Sequence, residues 1–316
     1  MSQPSHRLSV APMMERTDRH CRYLLRLLAP NTLLYTEMIT AAALLRGDAD
    51  ELLRYDPSEH PVALQLGGSE PSALARAAAL GESAGYDEIN LNVGCPSDRV
   101  QAGCFGAALM GQPELVADCV AAMRESVAVP VTVKTRLGID DQESYEFLHK
   151  FVELVADASC KTFVIHARKA LLDGLSPKQN RDIPPLDYVR VHRLKADYPE
   201  LTIIINGGLA DEQTILRQLG HVDGVMLGRQ AYQNPYLLAK LDRLIFRDAP
   251  LPSREDIVKR YLPYLETELS TGTSLKLMTR HLMGLYTAQP GGKRWRRFLG
   301  ELPHGREGLT ALQARL

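Results

Sequence analysis

Short runs of β-branched and apolar residues recur along the chain at 9–13, 33–38, 62–68, 88–94, 131–137, 162–168, 202–208 and 224–229. Each has the length and composition of a buried strand. Most of the intervals carry apolar residues at helical spacing, as in 71–84, 113–126 and 142–158. Eight strands alternating with helices over about 240 residues predict an α/β fold, a TIM (β/α)8 barrel. A doubly wound sheet is the alternative, but it has no reason to stop at eight strands. No GxGxxG follows any of the runs, so the main dinucleotide-binding signature is missing.

Past about position 250 the strand pattern stops. Segments 253–270 and 273–288 read as helices, and Gly291 and Gly292 break the chain before a last helical stretch at 293–299. The expected organisation is a barrel domain over 1–247, a short linker at 247–252, and a small all-helical domain within 248–316.

Charge sharpens that division. The net charge is −1, yet residues 251–316 hold eleven Lys and Arg against six Asp and Glu, a net +5, leaving −6 on residues 1–250. A basic tail on an acidic body points to an anionic partner, nucleic acid first, with a solvated helical face as the plain alternative. Cysteines 21, 95, 104, 119 and 160 form no CxxC pair. That argues against a disulfide framework, an iron–sulfur cluster or a structural metal, and for a reduced cytoplasmic protein. The polar N-terminus does not read as a secretory signal, and no apolar run approaches the roughly 18 residues that span a bilayer.

Chemistry concentrates at the ends of the predicted strands, where a barrel keeps its active site. The fourth run leads into Asn90-Leu91-Asn92-Val93-Gly94-Cys95-Pro96-Ser97. Alternation sets Asn90 and Asn92 on one face, and two amides facing inward imply a polar pocket. Gly94 permits a tight turn and Pro96 stiffens the chain after it, so the Cys95 thiol is held in one place. A packing cysteine is the plain alternative. Ala11-Pro12-Met13-Met14 after the first run is apolar and suited to lie against a flat ring. Gln65 offers an inward amide on the third run. Lys134 inside the fifth needs a partner or a chemical role, either charge beside an anionic ring or a Schiff base. His166-Ala167-Arg168 ends the sixth run, Asn206-Gly207-Gly208 the seventh and Gly228-Arg229 the eighth. Barrels commonly bind phosphate after strands seven and eight.

These motifs resemble the tRNA-dihydrouridine synthases. PMME, QLGG, NLNVGCPS, VKTRLG, HARKALLDGLSPKQNR, INGG and MLGR occur in order along nearly the whole chain, and the SPKQNR loop with GGKRWRR is most similar to the A subfamily. The resemblance implies reduction of uridine to 5,6-dihydrouridine in the tRNA D loop, at positions 20 and 20a, with bound FMN re-reduced by NADPH. By motif, Pro12, Met13, Met14, Gln65, Lys134 and His166 would hold the isoalloxazine, and Asn206, Gly207, Gly208, Gly228 and Arg229 the ribityl phosphate. Cys95 would be the proton donor and Asn92 would lie against the base. Lys178, Arg181, Arg294 and Arg297 would hold tRNA, and a monomer is expected. Bottom-up chemistry agrees: an ordinary thiol is mostly protonated near neutral pH and can act as the acid. Trp295 reads as a core anchor of the tail, and Cys104 is left open. The competing expectations are a flavin barrel reducing a free pyrimidine or enone, a flavin-free aldolase using Lys134, and a non-catalytic RNA-binding barrel.

Overall fold

The structure, a computed structural model, describes residues 5–97, 105–247 and 250–316; Cys104 lies outside the described residues. All eight runs become strands: β1 (Leu8–Val10), β2 (Leu33–Thr40), β3 (Val62–Gly67), β4 (Glu88–Val93), β5 (Val131–Arg136), β6 (Thr162–His166), β7 (Thr202–Asn206) and β8 (Gly224–Leu227). They pair in parallel in chain order and close through β1 and β8, with Leu8 opposite Val225 and Val10 opposite Leu227. β1 stops at Val10, shorter than the 9–13 read from sequence. Pro12 has no N–H to give a neighbouring strand, so pairing cannot extend through it.

The period of two along each strand builds two separate apolar layers. Val62, Leu64 and Leu66 of β3 join the large outer core beneath the helices. Ala11, Leu33, Tyr35, Ala63, Val164, Ile204 and Met226 form a distinct cluster inside the barrel. The rest of the interior is polar: Gln65 on β3, Glu88, Asn90 and Asn92 on β4, and Thr132 on β5 are all buried. The barrel therefore has one apolar wall and one hydrogen-bonding wall, as the paired asparagines required. Beneath it, a Cβ at Gly224 would lie 1.9 Å from the His6 carbonyl oxygen. Glycine at that position lets the N-terminal segment cross under the barrel and bring in the His6 ring.

After β8 the chain is helical: Arg254–Ser270, Leu275–Thr279, a tighter 3-10 turn at Arg280–Gly284, Gly292–Gly300 and Gly305–Ala314. The single helix expected over 273–288 is thus a five-residue helix followed by a different turn. Arg280 and His281 at that change both reach Asp18, at 2.5 and 3.0 Å, a contact that sequence spacing cannot show. The last helix, Gly305–Ala314, lies beyond the elements read from the sequence. Trp295 is buried, and its indole N–H donates to the Leu282 carbonyl at 2.9 Å, so it anchors the tail as expected. Helix Arg254–Ser270 packs on helix Arg19–Leu28, with Tyr23 stacked on Tyr264 at 3.9 Å and the Tyr261 hydroxyl donating to the His20 carbonyl. Arg19 pairs with Glu268 at 2.6 Å across the same contact. Among the described residues no helix is long and apolar enough to cross a membrane, and no group of three or more His, Cys, Asp or Glu side chains is arranged to hold a metal.

Candidate active site

The end of β4 is built around Asn92. Its side-chain oxygen accepts the backbone N–H of Gly94 at 3.1 Å and of Cys95 at 3.0 Å. Its amide nitrogen donates to Gln65 at 2.8 Å. Such a side-chain-capped turn is an Asx-type turn, and it fixes the direction in which Cys95 leaves the strand. The Cys95 carbonyl accepts from Ala107, and its sulfur donates to the Ser97 hydroxyl at 3.6 Å. Cys95 is half-buried whereas Cys21, Cys119 and Cys160 are buried. Burial pushes the last three thiols above the usual range, Cys119 and Cys160 to about 12, which suits packing rather than chemistry.

Cations crowd the same end of the barrel. Loss of solvent around the ammonium, then Arg136 and Arg181, pull Lys134 down to about 7, with Cys95 opposing. Arg136 is buried, and its Nε donates to the Gly94 carbonyl at 3.0 Å while Nη1 donates to the Lys169 and Asn180 carbonyls at 3.1 and 3.0 Å. It ties the cysteine turn to the loop after β6. Burial holds the His166 ring well below its ordinary value, and Arg136, Lys134, Arg168 and Arg181 reinforce this. The imidazole is neutral, and its Nδ1 is buried with no partner among the described residues; the same holds for Nε of Arg168. Nε of Arg243 and Nδ1 of His281, away from this end, are likewise buried without a partner, so it is the surrounding Lys134, Arg136, Arg168 and Arg181 that single out His166.

Gly207 and Gly208 follow β7 with φ of 104° and 66°, a backbone that other residues adopt only under strain. A Cβ at Gly208 would sit 2.3 Å from Leu186, and one at Gly207 3.0 Å from His166. The loop therefore passes close to His166 and Leu186, with the Gly207 carbonyl accepting from the Tyr188 hydroxyl at 2.8 Å. Asn206 spends its amide nitrogen on the Met226 carbonyl at 2.7 Å, holding β7 to β8. Its oxygen and its second amide N–H remain for a ligand. Arg229, at the start of helix Arg229–Gln233, is exposed and pairs with Asp182 on the loop after β6 at 2.7 Å. Pro12 and Met13 are half-buried beside Ala11, whereas Met14 is 58% exposed.

The structure thus brings Gln65, Asn92, Cys95, Lys134, His166, Asn206, Gly207, Gly208, Gly228 and Arg229 to one end of the barrel, as strand ends. It adds Arg136, Arg168 and Asn180, which lie within the VKTRLG and HARKALLDGLSPKQNR motifs but take no role from the resemblance. Alternation from Lys134 along β5 points Arg136 inward and is the signal that could have found it. Lys178 and Arg181 lie exposed on the loop after β6, whose Asn180 is buried and bonded to Leu171. Arg294 and Arg297 are exposed on the outer face of helix Gly292–Gly300, opposite Trp295 and Leu299; Arg297 is held by Glu301 at 2.9 Å. The positive charge is not confined to the tail, as composition implied: the mouth of the acidic body is itself cationic. Positive-φ glycine backbone, unpartnered nitrogens and clustered cations fit a phosphate-bearing ligand whose ring lies against half-buried Pro12 and Met13.

Residues 9–315 match the dihydrouridine synthase family. The chain belongs to that family. It is 59% identical over 302 residues to the tRNA-dihydrouridine(20/20a) synthase of Vibrio cholerae, covering 95% of this chain and 92% of that one. It is also 59% identical over 303 residues to the protein of the same name from Escherichia coli O6:H1, covering 95% and 91%. Among solved structures, a 2-naphthoyl-CoA reductase superposes with a TM-score of 0.57 at 11% identity over 76% of this chain and 51% of that one. That likeness is one of barrel fold. Family membership makes the chain an oxidoreductase of the dihydrouridine synthase type, in accord with the motifs. It leaves the aldolase and non-catalytic expectations without support.

Proposed function

We propose that this chain reduces uridine to 5,6-dihydrouridine in the tRNA D loop, at position 20 and its neighbour 20a. The observation that carries the proposal is the convergence of a clamped cysteine turn, a lysine drawn down among arginines and an open histidine nitrogen at one cationic barrel mouth. FMN, when bound, supplies hydride to C6 of the uracil and is re-reduced by NADPH. Gln65, Lys134 and His166 hold the polar edge of the flavin, with Pro12, Met13 and Met14 toward its ring. The backbone N–H groups at Gly207, Gly208 and Gly228, with Arg229 and the remaining amide N–H of Asn206, would receive the phosphate.

Lys134 would set a positive charge beside the flavin's polar edge and stabilise negative charge there. Asn92 orients the uracil, and Cys95 gives its Sγ proton to C5 on the face opposite the hydride. The target base must leave the D-loop stack to reach this mouth, which requires grip on the flanking backbone. Lys178 and Arg181 on the loop after β6 and Arg294 and Arg297 on the tail supply that grip, so residues 248–316 serve as the tRNA-holding domain of a cytoplasmic monomer. The test is incubation of the purified protein with NADPH and unmodified tRNA, followed by mass mapping of the digested RNA. A gain of about two mass units at 20 and 20a is expected, one hydride and one proton per uridine. Unmodified tRNA, with free uridine or an enone consumed instead, would replace the proposal with a metabolite reductase.

A further inference from the structure

One hydrogen-bonded line runs through the barrel from its lower end to the cysteine turn. At the bottom lies Glu88, the first residue of β4, completely buried. Its Oε1 accepts from the Tyr35 hydroxyl at 2.6 Å and the Thr132 hydroxyl at 2.6 Å, and its Oε2 meets His6 Nε2 at 2.6 Å. Burial pulls the His6 ring down, but the charge and hydrogen bond of Glu88 outweigh it and the ring is raised on balance. From Thr132 the line rises: Asn90 Nδ2 donates to Thr132 at 2.8 Å, Gln65 Nε2 to Asn90 at 2.8 Å, and Asn92 Nδ2 to Gln65 at 2.8 Å. It ends with Asn92 Oδ1 accepting from Gly94 and Cys95.

Such a line has a direction, and its ends decide it. A carboxylate only accepts, so the Thr132 hydroxyl donates downward and must take its own bond from Asn90. Each amide above is then forced to point its nitrogen down and its oxygen up. At the top, two backbone N–H groups only donate, and they find the Asn92 oxygen. If the lower anchor fails, Asn90, Gln65 and Asn92 can each turn over, and the turn at Cys95 then faces an N–H₂ where it needs an oxygen. The register makes the line continuous: Gln65 sits opposite Asn90, and Asn90 opposite Thr132.

We propose that Glu88 and Thr132 are positioning residues, which act through Asn90 and Gln65 to set the Asn92 amide and the turn presenting Cys95. The inference rests on the proposed function for what Cys95 does there, but its geometry does not. Thr279 supplies the control, because its buried hydroxyl, bonded to the Leu275 carbonyl, lies outside the line.

The experiment compares Thr132→Val with Thr279→Val by hydrogen–deuterium exchange of the protein as purified, following the Gly94 and Cys95 amides. Thr132→Val is expected to raise exchange there about tenfold, the factor one lost hydrogen bond supplies, while Thr279→Val leaves it unchanged. In anaerobic kinetics Thr132→Val slows tRNA-driven flavin re-oxidation about tenfold, more than it slows NADPH-driven reduction. Wild-type exchange in Thr132→Val, or an equal rise in Thr279→Val, would overturn the proposal. Thr132→Ala, which removes the same hydroxyl, replaces Thr132→Val if the latter does not fold: raised exchange at the turn supports the line, and wild-type exchange overturns it. The exchange measurement needs neither flavin nor tRNA, so failure of the proposed function would show separately, as a wild-type protein that does not reduce tRNA.

Discussion

The Asn92 side chain holds the turn that carries Cys95 from both directions, accepting two backbone N–H groups and donating to Gln65. Asn92→Ala removes all three bonds from a nearly closed pocket. The loss expected is about 2–3 kcal/mol of stability, at roughly 1 kcal/mol per bond. Dihydrouridine formation falls much further than FMN affinity does, because the turn rather than the flavin loses its support. Thermal melts and flavin titration of the same preparation check both halves.

Cys95→Ala separates the two half-reactions. NADPH should still bleach the flavin at the wild-type rate, and tRNA should no longer restore its colour. Undiminished re-oxidation by tRNA would remove Cys95 as the proton donor.

Loss of solvent and neighbouring arginines hold Lys134 at about 7. The negative phosphate that FMN brings into this cationic mouth raises it, so FMN binding takes up a proton, and affinity weakens as pH rises above about 7, by at most about tenfold per unit. Calorimetry in buffers of different ionisation enthalpy detects the uptake directly. Lys134→Met abolishes both the uptake and the slope.

Asp18 couples the β1 loop to the tail through Arg280 and His281. Burial alone would raise its carboxyl, but the His281 hydrogen bond and charge, the Cys21 N–H and Arg280 together hold it far below the usual range. A depressed carboxylate contributes stability that is present above its unfolded value and lost as pH falls toward the folded one. Asp18→Asn should cost about 2 kcal/mol at neutral pH, and its disadvantage should shrink below about pH 4. Urea melts across that range measure it.

Arg294→Ala with Arg297→Ala should weaken tRNA binding and reduce the slope of log affinity against log salt by about 1–2. Arg297 is already paired with Glu301, so Arg294 accounts for the larger share. An unchanged salt slope would take the helix off the RNA path.

Local patterning made the eight strands and most of the strand-end residues legible. β-Branched runs and the turn glycines at 207 and 208 act within a few residues of themselves. What the pattern missed depends on partners distant in sequence. The helix expected over 273–288 breaks where Arg280 and His281 turn toward Asp18, 262 and 263 residues away. The bond from the Asn206 amide to the Met226 carbonyl likewise joins two strands 20 residues apart. The line from Glu88 to Cys95 draws on β3, β4 and β5, and only the inward pairing of Asn90 and Asn92 hinted at it.

The most direct test of the central claim is anaerobic flavin re-oxidation. The NADPH-bleached protein is mixed with unmodified tRNA or with free uridine, and the flavin absorbance is followed. Rapid return of colour with tRNA, and none with uridine, is predicted. Equal return with uridine, or a protein that neither carries nor takes up FMN, would contradict it.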